Sequence, residues 1–268
     1  MHFKDRNCFW LVGLWCEMRS ALVLALALAL GQVAMASSEE TLLGGAFKVC
    51  SRSDPQLEQC ILDSLNGARD KLATGIPELG IPSLEPLRGT EIQLREGEED
   101  FHLQLVLRNF SWIGLSDFIA TKARIQFSPP YLEFVTTFNN MSLTGPYEFG
   151  GSVLMLRING NGDSYLNWGS TLTHRLRLEE EQRGGEVYWR AAEYSWQQDV
   201  AHVRIHFKNL FRGNKRLGLY ANQFLNRNWR PAYAVYGPVA NNALADTIKR
   251  LVLDPFLARV PVSKMFAP

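Results

Sequence analysis

The sequence is short of cysteine, short of net charge and without a long hydrophobic run, and each shortage excludes something. Its 268 residues hold four cysteines, too few for a disulfide-dense miniature scaffold. No cysteines and histidines stand at zinc-ligand spacing, so no metal site is read in the chain. Basic and acidic residues number 28 and 27. Neither a nucleic acid nor an anionic membrane is indicated as a partner, because binders of both kinds show clustered lysine and arginine. The apolar run at 21–30 is too short to cross a bilayer as a helix, so no stable membrane insertion is expected. Signatures of catalysis are missing as well: there is no G-x-S-x-G elbow, no P-loop and no H-E-x-x-H. Gly160-Asn161-Gly162 lacks the third glycine of a dinucleotide fingerprint. No cofactor and no enzyme activity are expected, although a spatial triad leaves no local signature.

What is present begins with a leader. The run at 21–30, followed by the small residues Ala34-Met35-Ala36, reads as the apolar core and cleavage site of a signal peptide. Residues 1–36 are read as leader, with Met18 an alternative start, and 37–268 as one exported domain. Cleavage removes Lys4, Arg6 and Arg19 with Asp5 and Glu17, which leaves a net charge of zero. It also removes Cys8 and Cys16, so Cys50 and Cys60 remain as a pair that an oxidising compartment would join. Two sequons, Asn109-Phe110-Ser111 and Asn140-Met141-Ser142, become glycosylation acceptors if their asparagines face solvent. A secreted, extracellular monomer is expected.

The period of the apolar residues divides the exported part. Asp54-Pro55 opens a helix on which Leu57, Ile61, Leu65, Ala68 and Leu72 form one stripe, Gly75 stops it, and the rest of the chain reads as its wrapping. Pro77, Pro82 and Pro86 predict an extended exit. From 90 to 192 the period is two. Leu103, Leu105 and Leu107 follow Phe101 and alternate with His102, Gln104, Val106 and Arg108, as in antiparallel strands with one covered face. Turns are predicted at Gly145-Pro146, at 159–163 and at Gly184-Gly185, the last joining arms at 171–178 and 187–194. Gly114, Gly150, Gly151 and Gly169 predict bulges and curvature. A further strand at 201–207 turns His202 and His206 outward. Asn228 is expected to cap a second helix carrying Val239, Ala243, Leu244, Ile248, Leu251 and Val252, interrupted at Gly237-Pro238. Two striped helices and a curved sheet make an α+β domain.

The segment from Cys50 to Pro55, the second cysteine at Cys60, and Gly75-Ile76-Pro77-Glu78-Leu79-Gly80-Ile81-Pro82 running into Glu85-Pro86-Leu87 resemble the opening signature of the takeout / haemolymph juvenile hormone binding protein family of insects. Asn209-Leu210-Phe211-Arg212-Gly213, Leu225-Asn226-Arg227-Asn228-Trp229, Val260-Pro261 and Met265-Phe266 resemble its closing motifs. The resemblance implies a long helix wrapped by a strongly curved antiparallel sheet, an elongated single-domain roll with an internal hydrophobic tunnel, related to lipopolysaccharide-binding and other tubular lipid-binding proteins. It also implies a secreted carrier of a long apolar small molecule such as juvenile hormone or another isoprenoid, a fatty acid or a quinone. Expected tunnel residues are Leu65 and Leu72 on the first helix and Ile81 after it. The sheet is expected to add Phe118, Phe138 and Tyr147, and the second helical region Phe224, Trp229, Leu244 and Ile248. A secreted hydrolase of lipid or hormone esters and a closed extracellular interaction protein without a ligand are the alternative readings.

Overall fold

In the computed structural model of the chain, residues 42–97, 103–154 and 156–268 are described. The leader read at 1–36 and the strand residues Phe101 and His102 lie outside them. Three two-residue strands come first, β1 (Leu42–Leu43), β2 (Phe47–Lys48) and β3 (Cys50–Ser51). The period-two region then forms β4 (Leu87–Glu96), β5 (Leu103–Ile113), β6 (Ile119–Phe127), β7 (Pro130–Val153), β8 (Leu156–Arg183) and β9 (Glu186–Phe207). These make one antiparallel sheet in the order β4-β5-β7-β8-β9, with β6 also paired to β7.

Strand β7, of 24 residues, runs beside the 28-residue β8 along its whole length. The far edge of β7 is shared: β6 takes 130–137 and β5 takes 142–151, and the register shifts between Phe138 and Met141 where the neighbour changes. A second shift lies opposite, at Gly169/Ser170. A Cβ on Gly169 would stand 2.5 Å from the Asn139 carbonyl oxygen, so glycine alone admits this bulge. Bulges bend strands and increase their twist. The sheet therefore curls far enough for one helix to touch both of its outer strands, β4 and β9.

Two predicted turns are strand interior. Gly145 pairs with Ser164, Pro146 with Asp163 and Tyr147 with Gly162, so the segments at 145–146 and 159–163 face each other across the β7–β8 ladder. Their glycines serve close approach instead of reversal. A Cβ would lie 2.9 Å from the Arg108 carbonyl oxygen at Gly145, and 2.6 Å from that of Lys208 at Gly162. Gly150 and Gly151 sit in regular register and Gly114 lies beyond the end of β5, so none of these three marks a bulge. The Gly184-Gly185 hairpin forms, with arms that continue to Phe207, so the strand expected at 201–207 is the end of β9.

The first helix is shorter than its stripe suggested. It divides at Ala68 into α1 (Leu57–Gly67) and α2 (Arg69–Thr74), and Gly75 ends it at φ 90°. Asp54 accepts from the Gln56 N–H at 2.7 Å, which closes a turn ahead of the helix; the cap position is Gln56. The proline-rich exit is a compact loop, not an extended rail, because Ile76 and Ile81 exchange both backbone hydrogen bonds around the 3₁₀ turn Pro77–Leu79. Cys50 and Cys60 are bonded, with Cα atoms 5.9 Å apart. The bridge ties β3 to the first turn of α1, and loop-closure entropy for so short a ring contributes about 3 kcal/mol.

After β9 come α3 (Lys215–Arg227) and α4 (Trp229–Ile248), a π-helical turn (Lys249–Leu253), α5 (Asp254–Arg259), α6 (Val262–Met265) and the strand β10 (Phe266–Ala267), which lies parallel to β3. The long wrapped helix is α4, of 20 residues, and not the N-terminal helix, whose two pieces of 11 and 6 residues are too short to span the sheet. It runs through Gly237-Pro238 without interruption, because Pro238 and Ala234, whose carbonyl loses its partner, are both exposed to water. Asn228 does not cap it by its side chain; the amide donates back to the Phe224 carbonyl at 2.8 Å and closes α3.

Candidate functional site

The inner face of the curled sheet is covered by two apolar clusters. One gathers α1, the ends of β6 to β9 and the C-terminal strand around Ile61, Leu176, Trp189 and Phe266. The other spans β4, β5, the remaining halves of β7 to β9 and the helices after them. Between them lies a buried polar relay, in which His174 meets Thr136 Oγ1 through Nε2 at 2.7 Å and the Tyr194 hydroxyl through Nδ1 at 2.8 Å. The imidazole stacks on Phe134 at 4.4 Å. Burial holds its pKa down at about 3 and raises that of Tyr194, so both rings stay neutral.

Where the larger cluster meets α4, packing is incomplete and a cavity of about 200 Å³ remains. Strands β4 and β5 contribute Ile92, Leu94, Leu105 and Leu107; further round the curl come Phe149, Trp168, Val203 and Ile205. The helical wall is Leu225 from α3 with Trp229, Ala232, Tyr236, Ala240 and Leu244 from α4. These α4 positions recur every three or four residues, so one face of the helix lines the cavity along most of its length. Polar side chains are few. Tyr233 and Asn241, one helical face apart, bond at 3.0 Å, and Gln198 on β9 donates to Ser170 at 3.0 Å. Burial raises the Tyr233 pKa, so its hydroxyl keeps its proton. A second depression, bounded by Tyr165, Arg204, His206 and Asn226, shares Trp229 with the cavity.

The free edge of β9 is held shut by α3. Asn226 accepts from the Ile205 N–H at 2.9 Å and donates to its carbonyl at 2.6 Å, while Asn222 makes the same pair of bonds with Phe207. The device recurs where α1 meets β6: Asn66 accepts from Ala120 N–H and donates to Ala120 carbonyl, both at 2.9 Å. An unpaired edge is a liability in a β protein, and these carboxamides blunt it.

Of the residues expected to line a tunnel, Trp229 and Leu244 border the cavity. The other eight are not among the residues that border it. Leu72, Ile81, Phe118, Phe138 and Tyr147 fill the core, Phe118 against Phe138 with ring centroids 6.2 Å apart. The Tyr147 hydroxyl donates to the Lys208 carbonyl at 2.7 Å, and burial pushes its pKa up to about 12. Leu65 packs between the two clusters, and Ile248 packs on the larger one from beyond the cavity. Phe224 is half-buried on α3, one position away from the cavity residue Leu225. Aromatic content drew the expectation toward residues whose bulk closes space. On α4 the expectation names the two ends of the lining face, Trp229 and Leu244, but not Ala232, Tyr233, Tyr236 or Ala240 between them, because tyrosine, glycine and alanine dilute its apolar signal. His202 and His206 are exposed on β9, as expected. Among the described residues no cluster of histidine, cysteine, aspartate or glutamate is suited to hold a metal ion. Asn109 and Asn140 are both exposed and both sit at shifts of strand register.

A curled antiparallel sheet closed by a long C-terminal helix, with an apolar cavity between them, defines the class as an α+β roll. The sequence profile of the haemolymph juvenile hormone binding protein family matches residues 22–267, and the chain belongs to that family. The crystal structure of Epiphyas postvittana Takeout 1 has the same fold, with a TM-score of 0.69 at 23% identity over 82% of this chain and 99% of that one. Lipopolysaccharide binding protein gives a TM-score of 0.29 at 14% identity, over 68% of this chain and 37% of that one. No curated protein matches.

Proposed function

We propose that the protein is a secreted carrier of a long apolar small molecule, an isoprenoid such as juvenile hormone, a fatty acid or a quinone, held between α4 and the sheet. The observation that carries the reading is the cavity, bounded almost wholly by aliphatic and aromatic side chains. Apolar cavities of this order stay dry when empty and take up apolar guests. Each methylene moved from water into such a space contributes about 0.8 kcal/mol, and immobilising the guest costs at least about 4 kcal/mol. Tyr233, Asn241 and Gln198, which are among the few hydrogen-bonding groups of an otherwise apolar wall, orient the polar end of the ligand. Family membership supports the same reading.

Protein secreted from insect cells and extracted with organic solvent is expected to release one amphiphile per chain by mass spectrometry, and added isoprenoids or fatty acids are expected to raise the melting temperature. Trp229→Arg should abolish uptake with the fold intact, because an unpaired cation at the wall would have to be desolvated. An empty extract, no thermal response and a variant that behaves as wild type would together reject the carrier in favour of a closed interaction protein. Export is tested in the same preparation. The mature chain should begin at Ser37, and glycosidase treatment should reduce its mass at Asn109 and Asn140.

A further inference from the structure

The neutral balance of the chain conceals a local excess. From 208 to 245 the sequence carries Lys208, Arg212, Lys215, Arg216, Arg227 and Arg230 and no aspartate or glutamate. Lys208 is paired with Asp163 at 3.1 Å, but Lys215, Arg216 and Arg227 are exposed and have no ion pair among the described residues. Interleaved with them on α3 are Leu217, Leu219 and Tyr220, exposed by 48%, 58% and 58%. At 100° per residue Arg216, Tyr220 and Arg227 share one ridge, flanked by Leu219 and Leu217. The opposite ridge is Ala221, Asn222 and Leu225, which face the protein. Single exposed leucines are ordinary; three large apolar side chains among unpaired cations on one helix are not.

We propose that the outer face of α3 docks on an anionic lipid surface. The helix has the two properties such a contact needs, apolar tips that enter the headgroup layer and long cationic stems that reach lipid phosphate from beside them. Its position adds the third. The inner face of α3 contributes Leu225 to the cavity, its two asparagines hold the β9 edge, and Trp229, with the Arg230 guanidinium 4.6 Å above its ring, follows at the rim. A membrane under α3 therefore lies against the cover of the cavity, and an apolar guest can pass between bilayer and cavity without crossing water. An acidic protein partner fits less well, because aliphatic tips mingled with the cations would be left against a polar surface. The transfer role rests on the carrier reading; the docking itself does not.

The test is co-sedimentation of the secreted protein with vesicles of phosphatidylcholine alone and with added phosphatidylserine, at low and at physiological salt. Binding is expected to be about tenfold tighter to the anionic vesicles and to weaken as salt rises. The double variant Arg216→Glu/Arg227→Glu and, separately, Leu219→Ser/Tyr220→Ser should each reduce it about tenfold, with uptake of a detergent-delivered fluorescent fatty acid unchanged. Equal binding to both vesicles, no binding to either, or capture by polyglutamate with no vesicle binding would overturn the proposal, the last assigning the face to an acidic protein. Vesicle binding by a protein that takes up no fatty acid would leave the docking standing and remove the carrier.

Discussion

The Asn222 carboxamide and the Phe207 backbone exchange two hydrogen bonds, the Phe207 N–H donating at 2.8 Å and the Asn222 Nδ2 donating to the Phe207 carbonyl at 2.9 Å. Asn226 repeats the exchange with Ile205. The two spacings are commensurate: four residues of helix rise about 6.0 Å and two residues of strand about 6.6 Å. A helix thus takes the place of the next strand. Asn222→Leu leaves a buried N–H and C=O unpaired, a loss of about 1–3 kcal/mol. Urea denaturation should show it, and Asn222→Leu/Asn226→Leu should lose more and aggregate through the opened edge of β9. Wild-type stability in the double variant would mean that packing alone holds α3.

The Cys50–Cys60 bridge closes its ring at one end of the smaller cluster. Cys60→Ser is expected to lower stability by about 3 kcal/mol, chiefly by freeing the unfolded chain. Alkylation of the secreted protein without reduction should modify neither cysteine.

His174 makes stability depend on pH. Its pKa falls from 6.5 in the unfolded chain to about 3 in the fold, owing to burial. Between those values the unfolded state binds the extra proton, so stability declines as pH drops below about 6, by up to about 1.4 kcal/mol per unit. His174→Gln should be less stable at neutral pH, because the amide fits the Thr136 and Tyr194 contacts poorly, yet its acid slope should be shallower. Equal slopes between pH 6 and 4 would place the acid sensitivity in the carboxylates.

Ala240 offers a way to close the cavity without charge. It faces the cavity from α4 opposite the sheet, and Ala240→Trp fills space that is empty of protein. The variant should keep or slightly raise the melting temperature and lose uptake of apolar ligands. Retained uptake at wild-type affinity would place the ligand elsewhere.

Sequence alone determined the elements whose signal is local. Gly75 had to end a helix and Gly184-Gly185 had to reverse a strand, because each reports a backbone constraint of its own residue. The alternation at Leu103, Leu105 and Leu107 and at Val203, Ile205 and Phe207 gave two walls of the cavity for the same reason: a strand sends every second side chain to one face whatever it is packed against. Tertiary structure decided what depends on a distant partner. Gly145 and Gly162 look like turn residues until the Arg108 and Lys208 carbonyls are seen standing where a Cβ would go. Phe118, Phe138 and Tyr147 could line a space or fill it, and only the course of β5 to β8 puts them in the core away from the cavity under α4. Asn222 and Asn226 carry no strand pattern, and their role exists only because β9 ends its sheet there. The cavity itself is the space left between a curled sheet and the long helix packed on it, and a volume that no residue occupies has no signature in the order of the residues.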